Sequence, residues 1–404
     1  MSTSDPRVPF GVGMVGYAFM GAAHSQAWRT AGRVFDLPLD PQMNVLCGRN
    51  REAAATAAER LGWASVETDW KAVVEREDVQ LVDICTPGDT HAEIAIAALA
   101  AGKHVLCEKP LAKTVAEAEE MAAAAQEAAA RGVRSMVAFN YRRTPALAYA
   151  RQLVEQGAVG TVRHIRAQYL QDWIVDPEFP LVWRLQADEA GSGALGDIGA
   201  HIVDVTQFVT GQRLVGVNAL LETFVKQRPL PGESSGLSAS GVPADSAASG
   251  GAGVGEVTVD DAALFLGRLD GGAIATYEAT RFATGRKNAI RVEINGSLGS
   301  LAFDLERLNE LEYLDGRDDP ELQGFRRVVV TEPGHPYLSA WYPPGHALGW
   351  GDTFVHEVRD FVEAVAAGQD PLPSFDDGLQ VQLVLDAVQR SAADRGCWTE
   401  VEEL

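Results

Sequence analysis

Long apolar runs are missing from this chain. No stretch of the 404 residues approaches the roughly 20 apolar residues needed to cross a bilayer. Met1 to Pro9 has no basic start followed by an apolar segment, which argues against a secretory signal and sets the cytoplasm as the expected compartment. Cysteine is scarce. The four, Cys47, Cys85, Cys107 and Cys397, lie far apart, three of them at the ends of apolar runs, so they read as buried thiols. No Cys-x-x-Cys or His-x-x-x-His spacing joins them to His24, His91 or His201, and no metal is expected. Positive charge is also short: 34 Lys and Arg against 56 Asp and Glu leave a net charge of -22. That balance repels phosphate backbones, no basic patch offsets it, and nucleic acid is excluded as a partner.

What remains is a globular composition, 46% hydrophobic and 22% charged, in a chain too long for one ordinary core. At least two domains are expected. A glycine-rich segment, Gly193-Ala194-Leu195-Gly196-Asp197-Ile198-Gly199-Ala200-His201, leads into an apolar helix. Asp197 and His201 are four residues apart, which places them on one face of a regular helix. Upstream, the apolar strand pattern Lys103-His104-Val105-Leu106 runs into Cys107-Glu108-Lys109-Pro110 and presents a lysine at a strand's carboxyl end. A lysine, a carboxylate and an imidazole make a proton-transfer set, which marks the chain as an enzyme if they converge.

The amino-terminal third alternates strand and helix patterns. Phe10 to Gly16 reads as a strand and Phe19 to Ala31 as a helix; Met43 to Cys47, Leu81 to Cys85 and Lys103 to Cys107 read as further strands. Helical patterns cover Glu52 to Leu61, Ala92 to Ala101 and an Ala-rich stretch that opens on the capping box Thr114-Val115-Ala116-Glu117. Such alternation predicts a doubly wound parallel sheet that binds ligands at its carboxyl ends, where Gly16, Gly48, Thr86 and Glu108 fall. Gly11 and Gly13 lie inside the first strand, so the phosphate turn is Gly16-Tyr17-Ala18-Phe19-Met20-Gly21, with Ala18 at its middle glycine position. After the second strand comes Gly48-Arg49-Asn50 in place of the carboxylate that bonds a ribose 2′-hydroxyl. Arg49 therefore leans toward acceptance of NADP(H), with an adenine-stacking or solvated arginine as the alternatives.

These marks, taken in order, resemble the glucose-fructose oxidoreductase/inositol dehydrogenase/rhizopine-catabolism (Gfo/Idh/MocA) family of dehydrogenases. They are the Gly16 to Gly21 turn with His24 beyond it, Thr86-Pro87 with His91, Glu108-Lys109-Pro110, and Asp197 to Asp204. Within the family, Phe139 to Pro145, Tyr169-Leu170-Gln171-Asp172-Trp173, Trp183-Arg184, Ala279-Thr280-Arg281 and Gly334-His335-Pro336-Tyr337 look like its levoglucosan-oxidising branch. The resemblance implies a catalytic group of Lys109, Asp197 and His201, and leaves open whether Lys109 or His201 is the base. It implies NAD or NADP held by Gly16, Ala18, Phe19, Met20, Arg49, Thr86, Pro87, His91, Glu108 and Lys109. It implies a second domain built on an open, mostly antiparallel sheet. A polyol needs several polar groups over an aromatic floor, which Tyr141, Gln171, Asp172, Trp173 and Arg184 would supply, although Tyr169, Gln171 and Trp173 fit a subunit interface equally well.

The expected division is 1–140 for the Rossmann domain, 141–375 for the sheet domain, and 376–404 for a helix returning toward the Rossmann domain. Strand patterns at Thr161 to Asp172, Leu214 to Val225, Val259 to Leu269, Gly272 to Phe282, Ala289 to Asn295 and Leu298 to Leu305 suit a meandering sheet. Residues 229–255, rich in Gly, Ser, Ala and Pro, read as a flexible loop, idle or acting as a lid. A sheet covered by helices on one side predicts a homodimer or homotetramer. The expected reaction is oxidation of a secondary hydroxyl on an anhydrosugar such as levoglucosan, or on a glycoside. Oxidation of a cyclitol such as inositol is the enzymatic alternative, as is hydride shuttling between two sugars on a tightly held cofactor. A non-catalytic sugar and dinucleotide sensor is the alternative of another class.

Overall fold

The computed structural model describes residues 7–231 and 253–402. In chain order they form β1 (Val8–Val15), α1 (Phe19–Val34), β2 (Leu39–Cys47), α2 (Arg51–Leu61), β3 (Ser65–Glu67), α3 (Trp70–Glu75), β4 (Leu81–Ile84), α4 (His91–Ala100), β5 (His104–Cys107), α5 (Val115–Ala129) and β6 (Ser135–Val137). There follow α6 (Pro145–Glu155), β7 (Val162–Leu170), α7 (Ala187–Ala190), α8 (Ala200–Thr210), β8 (Leu214–Glu222), β9 (Gln227–Pro229), β10 (Val254–Glu256), β11 (Ala262–Leu269), β12 (Ile274–Thr280), β13 (Ala289–Gly296) and β14 (Gly299–Asp304). The chain ends with β15 (Glu310–Asp315), β16 (Arg326–Val329), α9 (Asp352–Ala367), α10 (Phe375–Ala393) and β17 (Thr399–Glu400). Among the described residues, no helix is long and apolar enough to cross a membrane.

Two compact units result, one of residues 7–139 and 350–379, the other of 140–231, 253–349 and 380–402. In the first unit six parallel strands lie in the order β3-β2-β1-β4-β5-β6. This is the doubly wound order with its switch point between β1 and β4. Strands β4 and β5 are apolar runs because helices cover both faces; Leu81, Val82, Ile84, Val105 and Leu106 are fully buried. Thr114 and Glu117 form the predicted capping box at the start of α5. The helix that packs on α1 is α9, which turns Phe354, Val355, Val358, Phe361 and Val362 inward. The return to the first unit thus begins at 350, earlier than the expected 376. From 380 the chain groups with the second unit, where β17 pairs with β8 because its backbone completes that strand's open edge.

The second unit is a nine-stranded sheet in the order β16-β15-β14-β13-β7-β12-β11-β8-β17. Only β7 and β12 run parallel to each other among its pairs. Helices α6 and α8 cover one face, and the strands alternate accordingly. In β11, Phe265 and Leu269 are buried while Leu264 and Leu266 are exposed. Of the expected loop 229–255, residues 232–252 lie outside the described residues. Its two ends form strand pairing, β9 against β10.

Candidate active site

At the carboxyl end of the parallel sheet, Gly16 closes β1 with φ +98° and donates its N–H to the Cys47 carbonyl at 3.0 Å. A Cβ there would fall 2.6 Å from the Cys85 carbonyl oxygen, so the chain threads between the ends of β2 and β4 only as glycine. Helix α1 then starts at exposed Ala18 and Phe19 and partly buried Met20, with no capping side chain and no acid in its first turn. Its first N–H groups and dipole suit an anion, and they lie at the switch point where a dinucleotide pyrophosphate sits in this topology. These residues fit a dinucleotide. The exposed Arg49 follows β2, beside Asn50, which caps α2 by accepting the Ala53 N–H.

Beyond β4, the Thr90 hydroxyl contacts the Thr86 hydroxyl (2.7 Å) and the Pro87 carbonyl (2.8 Å), folding that loop into a tight turn. His91 is buried. Its Nε2 lies 2.9 Å from the Thr86 carbonyl and its Nδ1 3.0 Å from the Pro110 carbonyl, so it ties the loop after β4 to the loop after β5. Glu108 is likewise turned inward: one oxygen accepts the Lys109 N–H (3.0 Å) and the other lies 3.0 Å from His24 Nε2. Two of the ten expected cofactor contacts therefore have side chains engaged beneath the loops, because backbone and buried groups claim them. Lys109 is partly buried, ahead of a cis peptide bond to Pro110.

In the second unit the glycine-rich segment is held by a residue that sequence reading missed. The Asp260 carboxylate accepts the Gly193 N–H (2.7 Å) and the Leu195 N–H (2.8 Å), and its carbonyl accepts the Ala194 N–H (3.0 Å). A Cβ on Gly193 would lie 1.8 Å from the Asp260 carbonyl oxygen, which explains the glycine. Residues Leu195–Gly199 form a π-helical turn closed by the Ala200 N–H on the Leu195 carbonyl. Asp197 therefore stands on a widened turn, and the regular helix expected across 197–201 begins only at Ala200. Asp197 Oδ2 is 3.8 Å from Nη1 of the fully buried Arg281, which also donates to the Asp260 carbonyl at 3.1 Å.

His201 is buried, with the Tyr141 ring edge-on at 4.8 Å and the Tyr169 ring at 5.9 Å. The turn that carries Tyr141 is clamped to α8 by Arg142, whose Nε and Nη2 donate to Asp204 at 2.9 and 2.5 Å. Tyr169 donates to Asn288 Oδ1 (2.7 Å), so the 2.9 Å contact between the two tyrosine hydroxyls has Tyr141 as donor. Gln171 also donates to Asn288 Oδ1 (2.8 Å) and accepts from the Trp173 indole (3.0 Å). Burial, reinforced by Tyr141, pushes the Tyr169 phenol well above its usual pKa, so it remains a donor.

Tyr141, Gln171 and Trp173 thus share one network with Tyr169 inside a single chain. Asn288, which joins them, carries no motif that could have revealed it. Asp172 is not part of the network. It accepts Lys287 Nζ at 2.8 and 3.0 Å and the Gly285 N–H at 2.9 Å, and Lys287 holds it below the usual carboxylate range. Asp172, expected as a substrate ligand, clamps the loop before β13 through these contacts. Arg184 stacks its guanidinium on Trp183 at 4.4 Å from the ring centre, and its carbonyl receives Arg281 at 3.5 Å.

A family model described as an oxidoreductase family with an NAD-binding Rossmann fold matches residues 10–139, and a GFO/IDH/MocA C-terminal domain model matches residues 147–302. A levoglucosan dehydrogenase of Pseudarthrobacter phenanthrenivorans is 43% identical over 396 residues, 97% of this chain and 98% of that protein. The crystal structure of an oxidoreductase domain protein from Kribbella flavida is 63% identical, with a TM-score of 0.92 over 98% of this chain and 100% of that one. A levoglucosan dehydrogenase solved in complex with NADH and levoglucosan is 42% identical, with a TM-score of 0.89 over the same shares.

Proposed function

The chain belongs to the GFO/IDH/MocA oxidoreductase family, and on that basis we propose that it is an NAD(P)-dependent dehydrogenase oxidising a secondary hydroxyl of levoglucosan or a related anhydrosugar. The observation that carries the substrate class is the Tyr141–Tyr169–Asn288–Gln171–Trp173 network beside His201, which offers polar groups over aromatic rings. Such a surface suits a ring with several hydroxyls. A bound nicotinamide supplies the hydride acceptor. His201 takes the hydroxyl proton as the carbon–hydrogen bond breaks, and the Lys109 ammonium stabilises the developing alkoxide. Asp197, oriented by Arg281, accepts a hydrogen bond from a neighbouring hydroxyl. His91 and Glu108 serve by holding the loops on which Thr86, Pro87 and Lys109 stand. Three buried thiols and a dinucleotide-dependent reaction suit the cytoplasm.

The test is absorbance at the reduced-nicotinamide band with NAD+ or NADP+ against levoglucosan, myo-inositol and glucose. Reduction with levoglucosan is expected, with NAD+ as the principal acceptor, as the NADH of the solved relative supports. Reduction with myo-inositol alone would move the enzyme to the cyclitols. Silence with every sugar, together with a normal dinucleotide titration, would favour a sensor. Replacing Arg49 with Ala should weaken NADP+ more than NAD+; equal losses would make Arg49 an adenine or structural contact.

The exposed face of the second sheet supports a homo-oligomer. Leu220, Leu264, Leu266 and Ile274 stand there at 64, 46, 52 and 49% exposure, beside Arg166, Arg291, Glu278 and Glu293. Mixed charges around an apolar centre can complement themselves across a twofold axis. Light scattering after gel filtration should give at least a dimer, and Leu264→Arg should reduce it toward the monomer. A monomeric parent protein would overturn this assembly.

A further inference from the structure

Under the nucleotide end of the first unit, His24 of α1 is buried between two carboxylates. Its Nδ1 lies 3.0 and 3.1 Å from the two oxygens of Asp83 on β4, and its Nε2 lies 3.0 Å from Glu108 at the end of β5. A neutral imidazole has one N–H, so two facing carboxylates are both satisfied only when each ring nitrogen donates and the ring is cationic. Burial, the largest single influence, opposes that charge, but the charge and hydrogen bond of Asp83, joined by Cys85, bring the His24 pKa well above its ordinary value. Trp28 Nε1 donates to Asp83 at 2.7 Å, and the Cys85 thiol approaches the same carboxylate at 3.5 Å. Phe354 of α9 lies against the imidazole at 5.3 Å.

His24, Asp83 and Cys85 have the chemistry of metal ligands. They are already committed otherwise: burial and then Asp83 push the Cys85 thiol up and keep it protonated, and Asp83 is surrounded by donors. The hydrogen bonds instead lead in one direction. They pass from Asp83 through His24 to Glu108, and end where Glu108 Oε2 accepts the backbone N–H of Lys109.

We propose that His24 is a positioning residue for Lys109: its imidazolium draws Asp83 and Glu108 together and so fixes the carboxylate that grips the lysine's amide. Two buried carboxylates at the ends of adjacent strands would otherwise repel, and the Glu108 side chain would be free to leave Lys109. The ammonium is then aimed by a buried − + − arrangement rather than by the loop alone. This rests on the reading of Lys109 as a catalytic residue.

The test compares His24→Gln, Glu108→Gln, Trp28→Phe and Lys109→Met in the full-length protein. It measures kcat, sugar KM, dinucleotide Kd and thermal midpoint for each. His24→Gln loses the charge and keeps a polar side chain. Its kcat should fall roughly 10- to 100-fold, the size of effect that about 1 Å of misplacement produces, while KM and Kd move less than about threefold. Trp28→Phe removes the distant donor to Asp83; it should lower the thermal midpoint and leave kcat unchanged. Glu108→Gln cannot serve His24 and the Lys109 amide together, and should reproduce the kcat loss should His24→Gln fail to fold. Normal kcat in folded His24→Gln or Glu108→Gln, with Lys109→Met inactive, would overturn the proposal. So would an equal kcat loss in Trp28→Phe, which would make the effect general destabilisation. Normal turnover in Lys109→Met would instead sink the catalytic reading of Lys109.

Discussion

Lys109→Met should lower turnover by roughly two to four orders of magnitude, as expected when a group that stabilises charge in the transition state is removed, while dinucleotide affinity changes little. Methionine keeps an unbranched side chain that reaches as far as Cε and lacks the ammonium. The backbone N–H that Glu108 accepts is untouched, as is the His91 bridge between the Thr86 and Pro110 carbonyls. The turn therefore survives the substitution, and the loss reports chemistry rather than folding. Rapid-mixing measurement of the first turnover, beside a fluorescence titration with dinucleotide, separates the two. If turnover and KM both stay at parental values, Lys109 has no part in the reaction.

His201→Asn should produce a loss of similar size, roughly 10²- to 10⁴-fold in kcat, because the proton acceptor for the hydroxyl is gone. Some stability should go with it, since the edge-on contact of the imidazole with Tyr141 is worth about 1 kcal/mol in comparable aromatic pairs. The Tyr141–Tyr169–Asn288 hydrogen bonds do not pass through the imidazole, so sugar KM should rise only modestly. The double variant, Lys109→Met with His201→Asn, distinguishes shared from separate tasks. Groups that act on one hydroxyl give a double loss close to the larger single loss, whereas independent groups multiply. A multiplicative result would place the two residues at different steps.

Much of the fold is legible in local pattern. The runs 81–85 and 103–107 are apolar because both faces of a parallel sheet are covered. The runs at 161–172, 259–269 and 272–282 alternate because one face of the second sheet is exposed, and β7, β11 and β12 form where that alternation lies. Elements that escaped are short or weakly patterned: β3, β6 and β17 have three residues or fewer, and β15 and β16 carry Glu, Asp and Arg at the sheet's far edge. Such strands are decided by a neighbour's open edge rather than by their own composition.

The glycine turns, strand ends and the order of chemistry-bearing residues were set by the sequence itself, since a positive φ at Gly16 or a close approach at Gly193 admits only one residue type. What each site side chain does was decided by tertiary structure. Asp260 holds the Gly193 segment from 67 residues away, and Asn288 reaches Gln171 and Tyr169 across more than a hundred. His91 and Glu108 turn inward, Asp172 turns to Lys287, and the helix before His201 opens into a π turn. The physical reason is that a polar side chain goes to whichever partner relieves its desolvation most. That partner is brought near by the packing of distant elements, which no local spacing records.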